Sequence, residues 1–254
     1  MSGSLHGKKI LVTREENQAK EFSDKILQHG GKPIEAPLLK ITCIDQEDTR
    51  NYFNAIEKYQ WIFFTSANGV RCFFQLAEKY NLVNNKLQTV RMAAVGTKTE
   101  KALNAYGYSA DFVPAVFNAE VMAEEFLSNF QADSPILLVR GTRSRDILPE
   151  QFSQNGVVFD SIVVYRTSFN AAVEAQLNEI LKQKDLDFIT FTSPSAVEAF
   201  VNAANAESNA ICVCIGTTTE TRARELGFSS VITADEFTIE GMIESVSKYI
   251  VGEG

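Results

Sequence analysis

At 254 residues, with a net charge of −8, 45% hydrophobic and 22% charged residues, the chain has the composition of a folded protein long enough for two modest domains. The negative balance argues against a nucleic-acid partner, because neutralising phosphates needs a concentrated basic surface, but it allows an anionic small molecule in a locally positive cleft. No apolar stretch is long enough to span a bilayer, the first seven residues lack a secretory apolar run, and the four cysteines suggest neither a metal site nor a disulfide scaffold, so a reducing cytoplasm is expected.

Lys9-Ile10-Leu11-Val12-Thr13-Arg14 reads as a buried strand, and the helix after it carries Ala19, Phe22, Ser23, Ile26 and Leu27 on one face, with Gly30 placed to stop it. Pro33 to Ile41 looks extended. Further strands are expected near 61–65, 91–95, 111–113, 135–140, 157–164, 187–192, 210–215 and 231–233. Most are followed by a Gly/Ser/Thr junction and then by helical periodicity, the pattern of parallel sheets covered on both faces.

The chain also repeats itself. Lys9 to Arg14 with Gly30 matches Pro135 to Arg140 with Gly156, and Phe63 to Val70 matches Thr190 to Val197. Val95-Gly96-Thr97, Gly107, Phe117, Glu120 and Met122 recur at constant spacing as Ile215-Gly216-Thr217, Gly227, Phe237, Glu240 and Met242. Pro33 to Ile41 and Phe159 to Thr167 occupy equivalent places and suit a paired connector. Two divisions fit: a discontinuous domain of 1–36 with 168–254 beside a domain of 42–160, joined through 37–41 and 161–167, or two sequential halves split near residue 131.

In an open parallel sheet every strand-to-helix junction lies on one edge, where ligands bind. The junctions here are Thr13-Arg14, Thr65-Ser66-Ala67-Asn68, Gly96-Thr97-Lys98-Thr99, Arg140 to Arg145, Thr192-Ser193-Pro194-Ser195 and Gly216-Thr217-Thr218-Thr219. Helix-start N–H groups and hydroxyls bind carboxylate oxygens, small residues admit a ligand to the backbone, and arginine forks add fixed charge. Each hydroxyl is equally a helix N-cap, and an arginine can be merely solvated. As a set, Arg14, Arg140 and Arg143 with Thr65, Ser66, Asn68, Gly96, Thr97, Thr99, Thr192, Ser193, Ser195, Gly216, Thr217, Thr218 and Thr219 form a candidate polyanion site. With His6 in the N-terminal tail and His29 at a helix end as the only histidines, a histidine triad or metal site is not expected. No phosphate loop or dinucleotide fingerprint follows a strand, and Cys212 and Cys214 read as buried thiols on one strand.

The opening Ile10 to Arg14, the Phe64-Thr65-Ser66 and Phe191-Thr192-Ser193 junctions, Val95-Gly96-Thr97, Ile215-Gly216-Thr217 with Thr219, and Val164-Tyr165-Arg166-Thr167 together resemble the uroporphyrinogen-III synthase family over nearly the whole chain. The resemblance implies two similar doubly wound, flavodoxin-like α/β domains joined by a two-stranded ladder, with the first strand and helix in the C-terminal domain. It implies a lyase that uses no cofactor, whose substrate, hydroxymethylbilane, is an open tetrapyrrole with eight carboxylates, held as hinged domains close. Loss of hydroxide would give an azafulvene, and ring closure through a spiro intermediate would invert the last pyrrole. Tyr165 matches the family tyrosine considered as proton donor to the departing hydroxyl; a strand-end tyrosine is also often a packed ring. A two-lobed protein that clamps an anionic ligand without transforming it, and a flavodoxin-like mononucleotide binder, are the rival readings. A monomer is expected, since flexing about a thin connector needs no partner surface.

Overall fold

The structure, a computed structural model, describes residues 4–82, 84–131 and 133–252; Met1, Ser2 and Gly3 of the N-terminal reading lie outside the described residues. The chain opens with β1 (Lys9–Val12), α1 (Glu16–Gln28), β2 (Lys32–Glu35) and β3 (Leu39–Cys43). Next come α2 (Thr49–Asn54), β4 (Trp61–Phe64), α3 (Ala67–Lys79), α4 (Asn84–Leu87), β5 (Arg91–Ala94), α5 (Thr97–Ala105) and α6 (Ala119–Asn129). β6 (Ile136–Gly141), α7 (Ile147–Gln154), β7 (Phe159–Phe169), α8 (Glu174–Lys182), β8 (Phe188–Phe191) and α9 (Pro194–Ala203) follow. β9 (Ile211–Cys214), α10 (Thr217–Glu225), β10 (Val231–Thr233) and α11 (Ile239–Gly252) complete it. Among the described residues no helix is long and apolar enough to cross a membrane.

Two compact units result, one of residues 1–40 with 168–254 and one of 41–167. The sheet of the first has the order β10-β9-β8-β1-β2, with every neighbouring pair parallel. The second sheet has the order β3-β7-β6-β4-β5, and β4–β5, β4–β6 and β6–β7 are parallel. The repeat partners hold matching places: β9-β8-β1-β2 in one sheet corresponds to β5-β4-β6-β7 in the other. The 111–113 strand is reduced to one parallel bridge, Phe112 to Ala93, which stands where β10 pairs with β9. The chain crosses from unit to unit inside β3 and β7, which are sheet neighbours.

Strand periodicity explains why these runs are wholly apolar. In β4, Ile62 and Phe64 enter the core on one face of the sheet while Trp61 and Phe63 enter the core on the other. In β1, Leu11 faces one core and Ile10 and Val12 face the other. α1 buries Ala19, Phe22, Ser23 and Ile26 as expected, but Leu27 is 57% exposed. Eight residues beyond Ala19 it has turned about 80° away from that line, past the edge of the stripe. Gly30, at φ 78°, ends the helix in a Schellman turn in which the Gly30 N–H bonds Leu27 O and the Gly31 N–H bonds Ile26 O.

Two further expectations fail. The segment before β1 is not a loose tail: Leu5 is fully buried, and its N–H bonds His29 O at 3.0 Å. Nor are all four cysteines free thiols, because Cys43 of β3 and Cys72 of α3 form a disulfide across a sequence separation of 29. Spacing gave no hint of it, since only the packing of α3 beside β3 brings the two together. Cys212 and Cys214 are buried and free, as expected.

Candidate active site

The carboxyl edge of the 41–167 sheet centres on Tyr165. Ser66, extended at the end of β4, is the N-cap of α3, its Oγ accepting the Gly69 N–H at 3.0 Å. The same Oγ lies 3.1 Å from the Tyr165 hydroxyl. That contact depends on an irregularity: the β6–β7 register shifts between Arg140 and Gly141, so that Gly141 stands opposite Tyr165. A β-carbon at Gly141 would overlap Tyr165 Cζ and come within 2.7 Å of its oxygen, so only glycine leaves room for the ring. The backbone holds the arrangement, with the Thr142 N–H bonding Tyr165 O at 3.0 Å and the Gly141 N–H bonding Ser144 Oγ at 2.9 Å. A half-buried phenol is thus fixed against a second hydroxyl at a strand end. Gly141 was missed as a supporting residue although it stood inside a junction already singled out.

Of the arginines at this edge, Arg140 commits one nitrogen of its fork to the chain itself. Its Nη2 donates to Ser144 O at 3.1 Å, Arg145 O at 3.2 Å and Asp146 Oδ1 at 2.6 Å, and the side chain is 17% exposed. The guanidinium closes the loop that follows β6, a role that sequence spacing could not separate from ligand binding. Arg143 is exposed, with no hydrogen bond or ion pair among the described residues. Thr65 and Asn68 are half-buried beside Ser66, and Thr97 is exposed at the start of α5. Thr99 is 3% exposed and is corrected: as the third residue of α5 it turns toward the core.

The edge of the other unit has its own arrangement. Thr13 Oγ1 donates to Thr190 O at 2.6 Å and Thr190 Oγ1 to Leu11 O at 2.8 Å, a buried clasp between β1 and β8. Arg14 Nε donates to Gln18 Oε1 at 2.7 Å, while Nη1 is shielded from solvent with no hydrogen-bond partner among the described residues. Burial pulls the Arg14 pKa below its ordinary value, and Glu21 and Glu15 oppose that shift. Ser193 caps α9, its Oγ accepting the Ala196 N–H at 3.2 Å and lying 3.0 Å from Ser195 Oγ; Thr192 is half-buried next to it. Thr217 and Thr218 are exposed at the start of α10, whereas Thr219 is 1% exposed and, like Thr99, turns inward.

Sequence alone presents Gly96 and Gly216 as gaps through which a ligand approaches the backbone. A ring from the same chain already lies there. A β-carbon at Gly96 would meet Phe117 Cγ at 2.8 Å, and one at Gly216 would meet Phe237 Cδ1 at 3.2 Å.

Comparison with known proteins extends this geometry. The chain is 28% identical over 249 residues to the porphyrin biosynthesis protein HemD of Ruminiclostridium josui, covering 97% of this chain but spanning only 49% of that relative. It is 28% identical over 236 residues to the uroporphyrinogen-III synthase of Chlorobaculum parvum, covering 91% and 94% of the two chains. In fold it is similar to the uroporphyrinogen-III synthetase of Helicobacter pylori 26695, with a TM-score of 0.67 at 20% identity over 95% of this chain and 99% of that one. A family model described as uroporphyrinogen-III synthase HemD matches residues 20–244, taking in Tyr165 and every strand-end junction but the first, and leaving out the opening Lys9 to Arg14 of the first repeat. With that match over most of its length, the chain belongs to the uroporphyrinogen-III synthase family.

Proposed function

We propose that the chain performs the reaction that names its family, closing hydroxymethylbilane to uroporphyrinogen III with loss of water and inversion of the last pyrrole ring. The observation that carries the mechanism is the Tyr165 hydroxyl, 3.1 Å from Ser66 Oγ, with its ring seated on Gly141. The first step breaks the C–O bond of the hydroxymethyl group. Hydroxide is a poor leaving group, and a proton from Tyr165 lets it depart as water while the pyrrole nitrogen lone pair stabilises the azafulvenium left behind. Ser66 Oγ, held by the Gly69 N–H, orients the phenol toward that oxygen. The proton released when the last ring rearomatises returns to the phenolate, so one water is lost per turnover.

Substrate carboxylates are met by Arg14, whose Nη1 has a donor to give, by Arg143, and by the exposed hydroxyls and helix-start N–H groups of Thr97, Thr217 and Thr218. Thr65 and Asn68 stand at the strand ends of the 41–167 unit, and Thr192, Ser193 and Ser195 at those of the other unit. We further infer that each unit is a flavodoxin-like, doubly wound domain, that β3 and β7 serve as the connector, and that the enzyme works as a cytoplasmic monomer without metal or organic cofactor. In a reducing cytoplasm Cys43 and Cys72 would stand as two thiols. The relatives do not favour the rival reading of a clamp without turnover.

The test is to supply enzymatically generated hydroxymethylbilane, oxidise the products and resolve the porphyrin isomers. The inverted isomer should dominate. Recovery of only the isomer formed by spontaneous closure would overturn the reading.

A further inference from the structure

Phe117 and Phe237 hold equivalent places in the repeat, and the proposed chemistry leaves both unused. Each precedes a helix N-cap: Asn118, which accepts the Val121 N–H at 2.8 Å, and Thr238, which accepts the Gly241 N–H at 3.0 Å. An apolar side chain in that position ordinarily folds onto the fourth residue of its helix as a staple, here Met122 or Met242. Both methionines are buried, yet the rings stay 58% and 66% exposed and belong to neither unit's apolar core. They rest instead against Gly96 and Gly216, which follow the carboxyl ends of β5 and β9, and turn the rest of their surface to water. Packing explains one side of each ring and leaves the other without a structural use.

We propose that Phe117 and Phe237 are substrate-contacting residues, each receiving the flat apolar face of a pyrrole ring of the linear tetrapyrrole. This rests on the substrate reading above. A pyrrole bearing acidic arms needs an apolar surface for its ring next to polar groups for its arms. Each phenylalanine stands at the edge that carries exposed Thr97 or exposed Thr217 and Thr218. Aromatic stacking of this kind is worth about 3- to 10-fold in affinity per ring.

The experiment measures KM, kcat and thermal midpoint for Phe117→Ala, Phe237→Ala, Phe237→Leu and Gly96→Ala with enzymatically generated hydroxymethylbilane. Each alanine variant of phenylalanine should raise KM about 3- to 10-fold with a smaller change in kcat. Phe237→Leu keeps the bulk but not the ring, and should raise KM while holding the thermal midpoint. Gly96→Ala leaves Phe117 in the chain but pushes it off its seat, and should reproduce the KM of Phe117→Ala. Rings that only brace their loops would give lowered midpoints at unchanged KM; that result, or unchanged KM throughout in an active wild-type background, overturns the inference. A wild-type protein that makes no inverted isomer would instead overturn the substrate reading.

Discussion

Where the second repeat has Tyr165, the first has Leu39, and where Gly141 makes room for the phenol ring, the first has Glu15. Leu39 packs, partly buried, against the core of its unit, whereas Tyr165 brings its hydroxyl to Ser66. The serines at the matching strand ends, Ser66 and Ser193, both cap helices. The duplicated fold therefore supplies two similar edges, and a tyrosine–glycine pair places a phenol hydroxyl at one of them. Capping belongs to the scaffold and appears twice; the acid–base step proposed for Tyr165 would belong to one copy.

The strongest way to break this comparison is Tyr165→Phe, which keeps the ring on Gly141 and removes the donor. Turnover should fall by about 10²–10⁴ with the fold retained, and near wild-type rates of inverted product would remove the catalytic role. Gly141→Ala should come next. Its methyl group displaces the ring, lowering kcat toward the Tyr165→Phe level and costing about 1–3 kcal/mol of stability in denaturant titration.

The arginines sharpen the contrast. Arg14→Ala should weaken substrate binding by about 1.5–3 kcal/mol for a lost charged hydrogen bond. Arg140→Ala should instead loosen the loop after β6 and change affinity less, because its Nη2 already serves Ser144, Arg145 and Asp146. Equal losses of affinity in the two variants would contradict this division. Ser66→Ala and Ser193→Ala should each cost about 1 kcal/mol as lost caps, but only Ser66→Ala should lower kcat.

The smallest effect lies away from both edges. Hydrogen bonds from Lys58 and from buried Tyr59 hold the Asp160 carboxyl below its usual pKa. A depressed carboxylate pKa adds stability that is complete above the unfolded-state value of about 4 and is lost as pH falls through the lower folded value. With Asp160 partly exposed, the contribution stays below about 1 kcal/mol. The difference in thermal midpoint between wild type and Asp160→Asn should thus be present at pH 7 and vanish in acid; a gap that persists below pH 3 would point to packing instead.

Strand ends were legible because apolar runs such as Trp61–Phe64 stop at small polar residues, and both habits are local. What those ends touch was not. Thr99 and Thr219 share the composition of a binding junction, but their place in the first helical turn directs them inward. Gly96 and Gly216 are explained by rings some twenty residues onward in the chain. Arg140 is sequestered by a loop whose closure depends on Gly141 and Ser144. The Cys43–Cys72 pair depends on the packing of β3 against α3. For the glycines and the disulfide the deciding partner lies outside the motif; for Thr99, Thr219 and Arg140 it is the three-dimensional course of the junction itself.

The position of β1 between β2 and β8 has a consequence for synthesis on the ribosome. β2 follows within one helix, but β8 emerges only after the entire 41–167 unit has been made. At roughly 5–20 residues per second, the other edge of Lys9–Val12 waits on the order of 10–35 s for its partner. During that interval the nascent chain carries the whole 41–167 segment behind an apolar strand with one edge unpaired. That is the stage at which a chaperone, or a second nascent chain, would find the most to bind.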